Sequence, residues 1–209
     1  MQAIQVHASR FISVDAMPIS VSGPVAIAIF CFITSAHADE CEDPVLAATY
    51  SRMLSDDQAL RGRYIEILER EHAKVSVDAA EKANIEDSIL AGDAKNQEEL
   101  DRLVKRCGWP KRIDNGKAAR SAYFIIQHAP LAYQLKYLPV VRGANKRGEI
   151  SNEKLASLED RILVRQGKGQ RYGTEFQHGS NKVFPIHDSK NVNRRRKEIG
   201  LPPLTGFPL

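Results

Sequence analysis

Residues 118–128 read Ala-Ala-Arg-Ser-Ala-Tyr-Phe-Ile-Ile-Gln-His, and this stretch decides the fold. Its side chains are apolar nearly all round a helix, which is typical of a helix at the centre of a domain. Pro130 ends it, because proline disfavours the helical conformation in the residue before it. Helical spacing of apolar residues continues on both sides of the stretch. The sequence therefore predicts a mainly α, multi-helix, bundle-like domain around residues 118–128.

The other helices are predicted from apolar spacing, N-cap residues and glycine or proline stops. They cover residues 44–54, 55–72, 76–91, 93–107, 131–146 and 151–163, with a short last helix that ends at Gly200. Pro139 predicts a kink or a break within residues 131–146. Residues 170–187 change to alternating β formers around a turn, which predicts a small C-terminal β-hairpin packed on the helices.

The first 38 residues have the layout of a secretory signal peptide. Residues 25–33 are an uncharged apolar run, too short to span a bilayer comfortably, and the small residues Ala36 and Ala38 follow at cleavage-site spacing. We predict cleavage after Ala38 and a single helical domain over residues 39–209 that is periplasmic or secreted, with no membrane span in the mature chain. An uncleaved N-terminal anchor is the alternative.

Two cysteines, Cys41 and Cys107, remain in this mature chain. In an oxidising compartment, two thiols of one small domain commonly pair. We therefore expect a disulfide that joins the mature N-terminus to the end of a later helix. Two unrelated free thiols are the alternative.

Charge is divided unevenly along the chain. The 209 residues carry 30 Lys+Arg and 26 Asp+Glu, a net charge of +4, but residues 39–100 have a net charge of −9 and residues 101–209 one of +13. Either the two halves neutralise each other in space, or the basic half is a face for an anionic partner. The densest basic run, Arg194-Arg195-Arg196-Lys197, is expected to be solvated. Few aromatic residues lie among the basic ones, which disfavours nucleic acid as a partner.

Motifs of common enzymes and metal sites are absent from the sequence. There is no His-Glu-x-x-His, Cys-x-x-Cys, Gly-x-Ser-x-Gly or Gly-x-Gly-x-x-Gly, and no phosphate-binding Gly-x-x-x-x-Gly-Lys. Glu69 and His72 lie one helical turn apart, but a metal site of this spacing needs further carboxylates, so a surface ion pair is expected. We predict no metal and no cofactor.

Four polar residues in apolar settings are candidates for chemistry. His128 would act as a general base, Asp160 would orient it, and Arg161 with Tyr172 would stabilise an anion in a hydrolase-like reaction. This hypothesis needs His128, Asp160 and Tyr172 to meet in one concave pocket. The alternative is a buried hydrogen-bond network that docks the hairpin onto the helices, because buried polar groups must be satisfied.

Seven landmarks are spaced along the chain. They are Asp57-Gln58-Ala59-Leu60-Arg61, Asp93-Ala94-Lys95-Asn96, Gly108-Trp109-Pro110, Gln127-His128-Ala129, Gln134, Asp160-Arg161 and Gln170-Arg171-Tyr172-Gly173-Thr174-Glu175. In this order they resemble a family of bacterial domains of unknown function, over roughly residues 52–205. This chain departs from the family pattern at two places. Family members often have Asp soon after Gln-His-Ala, where this chain has Pro130 and a shorter connection, and the last Gln of the family's final landmark is Glu175 here. The resemblance implies a helical domain with a small hairpin and supplies no established activity. Its aromatic and polar landmark residues are the candidate binding residues: Trp109, Gln127, Gln134, Gln170 and Thr174.

These features are compatible with three functions. The first is an exported domain that binds a ligand or interacts with a protein, so the candidate partners are a small molecule or a protein. The second is a hydrolase-like enzyme that uses His128 with Asp160. The third is a secreted effector that acts on an anionic partner.

Overall fold

A computed structural model describes residues 41–111, 116–177 and 182–206 of the chain. The segment predicted to be a signal peptide lies outside these residues. The described part contains six α-helices: α1 Asp43–His72, α2 Ala79–Cys107, α3 Lys117–His128, α4 Leu131–Lys146, α5 Asn152–Arg165 and α6 Val192–Glu198. A 3-10 turn, Ser189–Asn191, precedes α6. The mainly helical fold is confirmed.

Helix α3 lies at the centre of the helical packing, as its sequence predicts. It contacts α1, α2 and α4, and seven of its twelve residues are buried. The small side chains of Ala118, Ala119 and Ala122 let the neighbouring helices approach closely. Tyr123 is also buried, and its hydroxyl donates to the backbone carbonyl of Lys154 in α5 at 2.8 Å. The polar atom of this aromatic side chain is therefore satisfied inside the core.

Helices α1 and α2 are longer than the sequence predicts. The expected boundaries at Ser55 and Gly92 fall inside continuous helices of 30 and 29 residues. Glycine within a helix costs about 1 kcal/mol relative to alanine. However, a Cβ at Gly92 would stand 3.3 Å from Leu60 Cδ1, so the glycine lets α1 and α2 lie close together. These two boundaries are wrong because the packing between the helices outweighs the local stop signals. Helix α4 likewise continues through Pro139.

The predicted C-terminal β-hairpin is wrong. Within residues 170–187, which we call the 170–187 loop, the described part makes two isolated β-bridges and no strand. One bridge is parallel, from Gln170 to Ile186, and the other is antiparallel, from Phe176 to Val183.

Side chains bind several of the backbone groups that a longer hairpin would pair, and two backbone hydrogen bonds join the arms beside the antiparallel bridge. The carboxylate of Asp160 in α5 accepts hydrogen bonds from the backbone N–H groups of Arg171, Tyr172 and Thr174. The side-chain amide of Gln170 donates to the backbone carbonyls of residues 175 and 184 and accepts from the N–H of residue 175. The loop therefore folds around two buried side chains, and its alternating sequence pattern does not produce a ladder.

The basic run near the C-terminus is only partly solvated. Arg195 and Arg196 of α6 expose 8% and 9% of their surface. Arg195 donates to the backbone carbonyls of Arg171 and His187, and Arg196 donates to that of Tyr172. The expectation of a solvated run is wrong for these two arginines, because they fix the 170–187 loop against α6.

The disulfide between Cys41 and Cys107 is confirmed. The two Cα atoms are 5.4 Å apart, and the bridge joins positions separated by 66 residues in the sequence. It ties the chain just before α1 to the last residue of α2. Among the described residues, no helix is both long enough and apolar enough to cross a membrane.

Candidate functional site

A groove of about 420 Å³ runs between α1 and α2. One wall is the face of α1 between Arg52 and Arg61, and the other is the face of α2 between Ile89 and Arg102. We call this feature the α1–α2 groove. Two of the sequence landmarks, at residues 57–61 and 93–96, line it from opposite sides.

Arg61 joins the two walls of the α1–α2 groove. Its Nε donates to Asp57 Oδ1 at 2.9 Å, one helical turn away on α1. Its Nη2 donates to Asp93 Oδ1 on α2 at 2.5 Å. The side chains of Asp57 and Arg61 expose 2% and 24% of their surface. Solvent therefore reaches the arginine of this ion pair but hardly reaches the carboxylate. Charge-assisted bonds of this kind hold the groove in one shape.

Asp57 also binds His128, which lies 71 residues further along the chain. Nδ1 of His128 donates to Asp57 Oδ1 at 3.0 Å, and Gln58 Nε2 donates to Asp57 Oδ2 at 2.7 Å. His128 reaches this position because it ends α3, which packs against α1. Within the described part of the chain, Nε2 of His128 has no hydrogen-bond partner.

The environment of Asp57 stabilises its charged form. Burial alone raises the pKa of this carboxyl group. The hydrogen bond from His128 and the positive charge of Arg61 outweigh burial, so the pKa of Asp57 lies below its usual range. Asp57 is therefore an ionised carboxylate that acts only as an acceptor.

The rim of the α1–α2 groove carries charges of both signs. Arg52 and Lys95 are exposed cations, and Asp56 and Glu98 are exposed carboxylates. None of the four forms an ion pair or a side-chain hydrogen bond with another described residue. Below them, Asn96 is 8% exposed and donates to the Met53 carbonyl at 3.4 Å. The four charged groups of the rim are therefore free to bind a ligand.

Asp160 forms a second polar cluster, together with the 170–187 loop. It is fully buried, and its two oxygens accept from the backbone of Arg171, Tyr172 and Thr174 and from the Thr174 hydroxyl, at 2.6–3.1 Å. Tyr172 is buried beside it and Gln170 is fully buried. No hydrogen bond joins this cluster to His128 among the described residues. His128 is therefore bound to Asp57, whereas Asp160 binds the 170–187 loop.

The C-terminus of α3 gathers three further candidate residues: Gln127, Gln134 and Arg161. Gln134 Nε2 and Arg161 Nη1 both donate to the backbone carbonyl of Gln127, at 2.7 and 3.1 Å. Arg165 Nη1 donates to the carbonyl of Ala129 at 2.6 Å. These bonds satisfy carbonyls that a helix end leaves without partners, and the two arginines complement its partial negative charge.

Trp109 belongs to the hydrophobic core and does not line the α1–α2 groove. Its Nε1, like the Oε1 of Gln134, is buried without a hydrogen-bond partner in the described part. Also among the described residues, no group of three or more His, Cys, Asp or Glu side chains could hold a metal ion.

The sequence candidates include His128 but omit four residues that surround it or line the groove. Asp57, Arg61, Asp93 and Asn96 occur only as parts of landmarks in the sequence. Their spacing is the sequence signal that could have identified them, because helix residues three or four positions apart lie on the same face. The pattern Asp-Gln-x-x-Arg on one helix and Asp-x-x-Asn on the next would therefore have indicated two facing polar surfaces.

A comparison with protein-family models identifies the family of this chain. A model for a family of unknown function, DUF6624, matches residues 45–208. The chain belongs to the DUF6624 family. The match spans both walls of the α1–α2 groove, His128 and the 170–187 loop. No curated protein and no solved structure matches the chain.

Proposed function

We propose that this DUF6624 domain is exported and binds a small polar ligand in the α1–α2 groove. The observation that carries the proposal is the buried Asp57 carboxylate, which lines the groove and is held by Arg61 and His128. Small-molecule sites commonly have volumes of about 300–1,000 Å³ and a few fixed polar groups. The α1–α2 groove combines both properties.

The charges at the rim indicate the chemistry of the ligand. Arg52 and Lys95 suit an anionic group, whereas Asp56 and Glu98 suit a cationic group or a hydrogen-bond donor. A ligand with groups of both kinds is complementary to this mixture. Free amino acids and short peptides are the simplest such ligands, because each carries a carboxylate and an ammonium group.

A groove-filling variant tests this proposal. Lys95→Trp places a bulky side chain in the α1–α2 groove, whereas Lys105→Trp places it on an exposed part of α2 outside the groove. We expect amino acids or di- and tripeptides to raise the Tm of the wild type and of Lys105→Trp in differential scanning fluorimetry, and to leave Lys95→Trp unchanged. A panel that shifts none of the proteins, or all three equally, would contradict the proposal.

A hydrolase-like activity is the second candidate, and the geometry of His128 favours it. Its Nδ1 is bound by the Asp57 carboxylate. A histidine oriented in this way can accept a proton at Nε2 from water or a hydroxyl group. Asp57 would then be the orienting residue in place of Asp160.

The peptide panel also decides this second candidate when its products are analysed by mass spectrometry. We expect the wild type to cleave a bound peptide, and His128→Gln to bind the same peptide without cleaving it. Intact peptides after incubation with the wild type would reject the enzyme but leave ligand binding standing. Equal cleavage by His128→Gln would reject the role of His128.

Export is supported by the Cys41–Cys107 disulfide, because disulfides persist in oxidising compartments and are rare in the cytosol. When the full chain is expressed in a bacterial host, we expect the protein in the periplasmic or culture fraction. N-terminal sequencing of that protein should begin at Asp39. A cytosolic protein that retains its first 38 residues would contradict export.

A further inference from the structure

An open depression of about 620 Å³ lies between the end of α5, the 170–187 loop and α6. We call it the basic depression, because four cations line it: Lys168, Arg171, Arg194 and Arg195. Asp188 is the one described carboxylate in its lining, and His187 lies beside it. It shares no lining residue with the α1–α2 groove.

The Asp188 carboxylate is already bound by other side chains. Its two oxygens accept from Asn191 Nδ2 at 2.9 and 3.1 Å, and its Oδ2 accepts from Arg195 Nη1 at 3.3 Å. Asp188 and Arg195 therefore largely neutralise each other. Glu198 pairs with Arg194 at 2.6 Å, but both side chains are more than half exposed, so solvent weakens that pair.

Arg171 and Lys168 keep their positive charges without a carboxylate partner among the described residues. Within the described part of the chain the Arg171 guanidinium makes no hydrogen bond, and it lies over the Tyr172 ring, 5.4 Å from its centre. Among the same described residues, Lys168 Nζ donates only to the neutral side chain of Gln166, at 3.0 Å. The nearby charge of Asp160 is bound by the N–H groups of the loop and by the Thr174 hydroxyl. Positive charge is therefore in excess in the basic depression.

The backbone around these cations is held in place. A Cβ at Gly169 would stand 2.8 Å from the backbone nitrogen of His187, so the two chain segments touch where they border the depression. Arg195 is 8% exposed and donates to the carbonyls of Arg171 and His187 at 2.9 and 2.7 Å. The backbone N–H of Arg171 is fixed on Asp160 at 2.6 Å. Such a frame limits the ordering cost of binding a ligand.

We propose that the basic depression binds a tetrahedral dianion, either free phosphate or sulfate or the same group at the end of a larger molecule. The planar guanidinium of Arg171 suits two oxygens of such a group, and the Lys168 ammonium adds a point charge. The volume exceeds that of one oxyanion, which leaves room for an attached group. This site is independent of the proposed function of the α1–α2 groove.

Isothermal titration calorimetry with inorganic phosphate, at constant ionic strength, tests the proposal. We expect saturable binding by the wild type and a loss of about ten-fold in affinity for Arg171→Gln, as for the loss of one charge-assisted hydrogen bond. Lys197→Gln is the matched control, because it removes the same charge from an exposed position of α6 outside the depression. This variant and the groove variant Lys95→Trp should bind phosphate as the wild type does.

Two further ligands separate the sources of the dianion. Sulfate should compete with phosphate, and acetate at matched ionic strength should not. Tighter binding of glucose 6-phosphate than of inorganic phosphate would support a larger ligand, and equal or weaker binding would support the free ion. Absence of saturable phosphate binding at 10 mM (roughly the weakest affinity a built site of this kind would have) would overturn the proposal. Equal loss of affinity in Arg171→Gln and Lys197→Gln would also overturn it, because only overall charge would then matter.

Discussion

Asp160→Asn is expected to lower the free energy of unfolding by about 3 kcal/mol or more, because it removes acceptors from several buried donors at once. In the native protein Asp160 Oδ2 accepts from the N–H of Tyr172 and from the N–H and hydroxyl of Thr174. An amide group at that position would direct its own N–H at these donors. The change preserves side-chain shape, so the loss would report the hydrogen bonds and the charge.

Glu159→Gln is the control for this prediction. It neutralises the neighbouring carboxylate on α5, whose partner Arg142 is half exposed, so about 0–1 kcal/mol is expected. Urea denaturation gives both free energies, and hydrogen exchange of residues 170–177 should speed up in Asp160→Asn alone. If the two variants lose the same stability, or if exchange in the loop is unchanged, Asp160 does not organise the 170–187 loop.

The helical part of this fold could be predicted from the sequence because its signals are local. The apolar stretch 118–128 predicts a central helix, and α3 is central. The hairpin prediction failed for the opposite reason. The alternation from Arg171 to Phe176 is a local β signal, but Asp160 and Gln170 bind several of the backbone groups that a strand would pair. A side chain of another element decided the conformation of the loop, and no local pattern reports that.

The candidate site could likewise be predicted only in part, because local patterns do not report contacts between distant elements. His128 could be selected from the sequence, since a polar residue at the end of an apolar helix is conspicuous. Its partner Asp57 lies 71 residues earlier, on a helix whose contact with α3 only the packing reveals. Asp160 was predicted to be the partner of His128 because it, too, is a polar residue in an apolar helical stripe. Both carboxylates are buried, and only the three-dimensional structure distinguishes the one that meets His128.

Removal of the Cys41–Cys107 disulfide is expected to lower the free energy of unfolding by about 4 kcal/mol. In the loop-entropy model, a bridge that closes a loop of this length restricts the unfolded chain by that amount. The bridge spans 66 residues and joins the start of α1 to the end of α2. The double variant Cys41→Ser/Cys107→Ser, compared with the oxidised wild type in urea, measures the effect. The single tryptophan, Trp109, is a suitable probe because it is buried two residues after Cys107.

The single variants separate the bridge from the side chains that form it. Either Cys41→Ser or Cys107→Ser alone breaks the bridge, so each should lose nearly as much stability as the double variant. Losses that simply add would instead indicate two independent effects of serine in place of cysteine. Reduction of the wild type with dithiothreitol should reproduce the double variant, since it opens the same loop without changing any residue. A reduced wild type as stable as the oxidised one would show that packing of α1 and α2 against α3 holds the two ends together without the bridge.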